Sequence, residues 1–153
     1  MQYKAVKLVK RPRLTITPDV FEVVTLETPE LESGQILLRQ THMSLDPAMR
    51  GWMSEDRGSY IPPVELGEVM RSSGVAEVVE TKNDQFAVGD RVVGMIGWTE
   101  YAVSNGEGLN TLPPGISAEA VLCVLSLPGL TAWQGFMEIG KPKAGETLVV
   151  SGA

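Results

Sequence analysis

The stretch Glu138-Ile-Gly-Lys-Pro-Lys-Ala-Gly-Glu-Thr-Leu-Val-Val-Ser-Gly-Ala153 decides how the chain is read. Gly140 and Pro142 end a helix, because one leaves helical backbone freely and the other cannot continue it. Lys143 to Glu146 is a polar turn. Thr147 to Ser151 then reads as a short apolar strand, and Gly152-Ala153 opens a tight small-residue loop. An apolar strand running into such a loop is how a dinucleotide-binding βαβ unit opens. The helix and second strand of that unit would follow these residues, so the stretch predicts a two-domain enzyme cut just after its second domain begins.

Working back from that end, the bulk properties describe an ordinary globular domain with a short extension. The chain has 153 residues, 43% hydrophobic and 21% charged, a usual size and composition for one core-forming domain. The net charge of −6 gives phosphate backbones and anionic membrane surfaces nothing to hold, so no nucleic-acid or membrane partner is expected. Cys123 is the single cysteine, so neither a disulfide framework nor a cysteine-built metal lobe can form within the chain. No apolar run approaches the ~18 residues of a membrane span. The N-terminus lacks the apolar core of a signal peptide, and a reducing cytoplasm is the expected location.

From Met1 to about Leu112 the texture is β. Lys4–Lys10, Phe21–Glu27, Gln35–Met43, Gly67–Ser72, Val75–Glu80, Arg91–Gly94 and Trp98–Ser104 each read as strands, with Gly74 marking a bend or bulge. Many short strands punctuated by glycine predict a barrel or curled sheet. Leu45–Gly51 reads as one helical turn, with Asp46 able to cap, Pro47 at the start and an Asp46–Arg50 pair holding it. Ser54–Ser59 reads as a mobile loop. Ser117 is placed to cap a helix over 118–125, and Pro128 begins another over 128–139 that places Leu130, Trp133 and Met137 on one face.

Three segments together carry a resemblance: Ser44-Leu-Asp-Pro-Ala-Met-Arg-Gly51, Val88-Gly-Asp-Arg-Val-Val-Gly94 with Gly97-Trp-Thr-Glu-Tyr101, and Leu127-Pro-Gly-Leu-Thr-Ala-Trp133. With Lys143–Val150 behind them, their order resembles the N-terminal part of a zinc-free medium-chain dehydrogenase/reductase. The subgroup is that of the NADPH-dependent 2-alkenal, prostaglandin and curcumin reductases, and the Leu-Asp-Pro-x-Met-Arg segment singles it out. The resemblance implies a mainly β fold with C-terminal helices. Residues 1–125 would be a GroES-like, partly open barrel on the substrate side. Residues 126–153 would be the connecting helix and the first strand of a truncated Rossmann domain. It further implies a small enal or enone as substrate, NADPH held mostly by the missing domain, and a homodimeric parent.

Zinc is not expected. The zinc-dependent relatives place Gly-His-Glu where this chain has Gly67-Glu68-Val69, and the one histidine, His42, lies on a separate strand. Another group must then stabilise the oxygen that becomes negative as an enone is reduced; a phenol can do this, and Tyr60, beside the Ser54–Ser59 loop, is the local candidate. Packing alone is the equal alternative for Tyr60. Ala48, Met49 and Tyr60 are expected to shape the substrate pocket. Family members usually carry tyrosine at the Ala48 position, so a wider or differently shaped pocket, and a substrate other than a curcumin type, is expected.

By resemblance, Leu127, Pro128, Gly129 and Thr131 face the nicotinamide; read as residues alone, they are a helix start built from proline and glycine. His42 reads as a satisfied strand residue, Cys123 as a small hydrophobe on an apolar helix, and Trp98 and Trp133 as packing residues. Arg50 as a substrate contact stands second to its pairing with Asp46. Two other functions stay open: a quinone reductase, and a non-catalytic GroES-like binding module.

Overall fold

The computed structural model describes residues 1–56, 58 and 61–151. Strands β1 (Gln2–Leu8) and β2 (Phe21–Glu27) form an antiparallel hairpin in continuous register from Gln2 opposite Glu27 to Leu8 opposite Phe21. A second sheet contains β3 (Ile36–Met43), β4 (Ser73–Thr81), β5 (Arg91–Met95), β6 (Tyr101–Ser104) and β7 (Asn110–Thr111) in the order β6-β3-β4-β5-β7, with every pairing antiparallel. Single bridges at Ala5–Thr99 and Lys7–Val69 join β1 to the segments that lead into β6 and β4. The expected curled β-fold is therefore present as two open sheets rather than a closed barrel.

β4 shows why this sheet is central. Val75, Ala76 and Val78 are all inaccessible to solvent, although they point to both faces. Ala76 and Val78 pack with Ile36, Leu38 and Val92, while Val75 packs on the other side with Ala118 and Val121. Burying each large aliphatic group contributes about 1.5–3 kcal/mol. A third cluster, of Leu8, Met49, Met53, Val64 and Met70, seals the seam between hairpin and sheet.

The predicted irregularity at Gly74 has a specific cause. A Cβ there would lie 2.7 Å from Gln40 Oε1, and the partner strand shifts register between Gln40 and His42. The expected strand over 67–72 reduces to the bridge at Val69. There the chain serves as a connector, with the Met70 N–H donating to Val6 and the Met70 carbonyl accepting from Trp98.

The helices are shorter than their patterns suggest. α1 (Met49–Trp52) is one turn. Asp46 does not cap it with its side chain: its carboxylate accepts from the Ser44 hydroxyl at 2.8 Å. Nor does Asp46 pair with Arg50, whose guanidinium donates instead to the carbonyls of Pro12 and Arg13. Two backbone acceptors on the adjacent loop therefore take the place of the i, i+4 carboxylate.

α2 (Ala118–Leu122) is capped by Ser117, which accepts from the Ala120 N–H at 3.1 Å. It stops short of Leu125 because the Ser126 hydroxyl donates to the carbonyls of Leu122 and Cys123. Cys123 is consequently exposed at the helix end, not packed as a small hydrophobe. α3 (Leu127–Trp133) continues as a π-helical segment, Gln134–Gly140, and Lys141 rather than Gly140 takes the left-handed terminating conformation.

Thr147–Val150 has no strand ladder among the described residues, and Leu148, Val149 and Val150 are exposed. A strand is held by hydrogen bonds to a neighbour, and no described strand lies beside this segment. No helix among the described residues is long and apolar enough to cross a membrane.

Candidate active-site cleft

The turn around α1 and the start of α3 enclose a cleft of about 450 Å³. Its first wall is Pro47, Ala48, Trp52 and Ile61. The opposite wall is Leu122, Leu127 and Pro128, with Ser126 and Thr131 among them. Ser44, Ser73 and Met95 also line it, and Asp46 is the one ionisable group among the described lining residues.

The backbone fixes this geometry. The Ser44 N–H donates to the Ser73 carbonyl at 2.9 Å, which ties the end of β3 to the start of β4. The turn that follows carries Ala48 into the cleft, and the next residue, Met49, turns inward with 4% exposure to pack in the methionine-rich core. Trp52 and Met53 divide the same way: Trp52 lines the cleft, and Met53 is buried. The pattern follows from the 100° step of a helical turn.

On the facing side, Ser126 and Thr131 both spend their hydroxyl protons on backbone. Thr131 Oγ1 donates to the Leu127 carbonyl at 2.7 Å, and Ser126 Oγ to the Leu122 carbonyl at 2.9 Å. Each hydroxyl oxygen therefore meets the cleft as an acceptor.

The structure groups Ala48, Leu127, Pro128 and Thr131 around one cleft. Met49 lies in the core behind it. Gly129 is on the outer side of the same turn, where a Cβ would stand 1.8 Å from the Val124 carbonyl oxygen. That close approach of backbone to backbone requires a glycine here. Tyr60 lies outside the described residues.

Trp52, Ser73, Met95, Leu122 and Ser126 are cleft residues that sequence reasoning did not select. Only Trp52 had a usable signal, three residues after Met49 on the same helical turn. Ser73 and Met95 meet only through strand pairing.

Outside the cleft, His42 Nε2 is 3.7 Å from Glu119 Oε1, at the surface end of α2. The Glu119 carboxyl is held below its ordinary value of 4.5, first by its own backbone N–H at the start of the helix and next by the Ser117 hydroxyl, with smaller help from His42 and Arg91. Asp19 is likewise held low by Lys10 and then by Thr17. Among the described residues no cluster of three or more His, Cys, Asp or Glu side chains could hold a metal ion.

The family described as the N-terminal domain of oxidoreductases matches residues 4–112. The NADPH-dependent curcumin reductase of Escherichia coli is 43% identical over 149 residues, covering 95% of this chain and 42% of that protein. Prostaglandin reductase 1 of Sus scrofa is 35% identical over 141 residues, covering 90% of this chain and 40% of that protein. The crystal structure of CurA from Vibrio vulnificus in complex with NADPH superposes with a TM-score of 0.83 at 36% identity, covering 94% of this chain and 42% of that one. The chain thus spans about two fifths of the length of the relatives it matches. With motifs, fold and similarity in agreement, the chain belongs to the oxidoreductase N-terminal-domain family, within the curcumin and prostaglandin reductase subgroup of the medium-chain dehydrogenases/reductases.

Proposed function

We propose that this chain is the substrate-side part of an enzyme that reduces the C=C bond of α,β-unsaturated aldehydes or ketones with NADPH. The observation that carries the reading is the cleft itself. It is mainly apolar and is lined by residues of two segments that carry the resemblance, Ser44–Gly51 and Leu127–Trp133. An enal is a flat apolar body with one polar oxygen, and such a cleft binds it mainly by removing that body from water.

The residues present fit a nicotinamide. Leu127 and Pro128 offer an apolar surface for one ring face, and the hydroxyl oxygens of Ser126 and Thr131 offer acceptors for a carboxamide N–H. When bound, NADPH supplies the hydride; this chain's residues would orient the alkene and exclude water. Tyr60 is proposed as the hydrogen-bond donor to the substrate oxygen, a role that rests on its place beside the Ser54–Ser59 loop in sequence. Ala48 leaves space where relatives carry a phenol, which suits a bulkier or branched enone.

The same reading makes the enzyme zinc-independent. Its sulfur and imidazole donors are one cysteine and one histidine; Cys123 ends α2, and His42 lies beside Glu119. It divides the chain at 1–125 and 126–153, places the enzyme in the cytoplasm, and takes the parent as a homodimer. The test is turnover by the full-length parent. NADPH consumption is expected with a 2-alkenal and not with the saturated aldehyde of equal length. Equal rates with both, or turnover confined to quinones, would refute it.

A further inference from the structure

We infer that Arg50 is a positioning residue for the cleft: by clasping the connection between β1 and β2, it fixes the wall that carries Ala48 and Trp52. The inference rests on the reading of the cleft as the substrate site. Ala48 and Trp52 line the cleft, whereas Arg50, between them on the same turn, reaches elsewhere. Its Nη2 donates to the Arg13 carbonyl at 2.9 Å and to the Pro12 carbonyl at 3.3 Å. It makes no ion pair with any carboxylate of the described residues.

The connection it holds has little backbone support of its own. Among the described residues, no backbone N–H from Lys10 to Ile16 donates to another backbone carbonyl, and Leu14 is 93% exposed. Pro12 is nevertheless buried. A second arginine completes the attachment. Arg11 Nη1 donates to the Val64 carbonyl at 2.5 Å, and the Val64 N–H donates to the Trp52 carbonyl at 2.8 Å. The bonds thus close a circuit, from Arg50 to the connection, from Arg11 to Val64, and from Val64 back to Trp52 on the turn where Arg50 stands. Arg71 braces the same wall from its other side, with its guanidinium 5.6 Å from the centre of the Trp52 ring and Nη1 donating to the Pro62 carbonyl at 2.9 Å.

α1 is only four residues long, and a single helical turn does not hold its own shape. Its orientation is set by what it is tied to. Met49 and Met53 anchor its inner side in the core, but apolar packing is non-directional. Charge-assisted hydrogen bonds are directional and strong, so the arginine circuit sets how the turn is rotated and how far Trp52 stands from the facing wall. A wall that buries the body of a substrate holds ground state and transition state alike, so loosening it is felt in KM rather than in kcat.

The experiment uses steady-state kinetics of the full-length parent with a small 2-alkenal. Arg50→Gln is expected to raise KM by about fivefold and to leave kcat within about twofold. A variant that is merely less stable would lose folded enzyme, which lowers kcat at unchanged KM. Arg11→Gln should raise KM alike and carries the test alone if Arg50→Gln does not fold. The double variant should raise KM by less than the product of the single effects, because both open one circuit. An unchanged KM in the variants, a loss confined to kcat, or effects that multiply would overturn the inference.

If no 2-alkenal is turned over, the proposed reaction fails and the circuit is read by hydrogen exchange on the same parent. Faster exchange in Arg50→Gln over residues 47–54 and 61–66, with β4 unchanged, upholds the positioning role without the reaction. Unchanged exchange over 47–54, or an equal rise in β4, overturns it.

Discussion

At the scale of single residues, neighbours on one helical turn have opposite duties. Ala48 faces the cleft and Met49 the core. Met49→Ala is therefore expected to act on stability, by about 2–5 kcal/mol, while leaving KM for a small enal near its wild-type value. Denaturant unfolding and steady-state kinetics on the full-length parent separate the two. A raised KM at unchanged stability would return Met49 to the pocket. For Tyr60 the expectation is reversed. Tyr60→Phe should lower kcat by about 100-fold, as loss of one oxyanion donor does, with a smaller change in KM, because the bond strengthens as charge develops. A near-normal kcat would leave Tyr60 a packing residue.

At the scale of elements, α2 illustrates how a short helix is held by its first turn. Ser117 caps it, and Glu119 complements its positive end. Because the folded Glu119 carboxyl titrates below its ordinary value of 4.5, its contribution is fully present above that pH. It is lost as pH falls through the lower, folded value. Asp19 behaves alike below its ordinary 3.8. Melting temperature is thus expected to fall as pH drops below about 4.5, and Glu119→Gln should flatten part of that decline. A steeper acid decline in the variant would contradict the assignment. The neighbouring His42 sits 3.7 Å away as an exposed partner of this carboxylate, in keeping with its reading as a strand residue rather than a catalyst.

Strand elements were legible wherever period-two alternation met a partner. Phe21–Glu27 is found with the bounds read from its residues. Thr147–Ser151 carries the same apolar signal, yet it has no ladder among the described residues, because pairing, not composition, makes a strand. Gly67–Ser72 likewise became a connector tied to β1 by single bonds.

At the scale of the molecule, what could be read in advance was the β-architecture and the two segments that meet as cleft walls. The meeting itself came from the fold. Met95 and Ser73 reach the cleft only because β4 and β5 pair there. Arg71 acquires its position only because Trp52 and Pro62 are folded against it. Neither relation leaves a periodic trace in the chain. Gly129 adds a local constraint of the same kind, because a Cβ there would meet the Val124 carbonyl.

The central claim is that the parent enzyme delivers hydride to the alkene carbon of an enal rather than to its carbonyl. The most direct measurement is turnover of a 2-alkenal by the full-length parent with NADPH deuterated at the transferred position, followed by NMR of the product. The account predicts a saturated aldehyde with deuterium on the β-carbon. Deuterium on the carbonyl carbon of an allylic alcohol, or no deuterium transferred to the substrate, would contradict it.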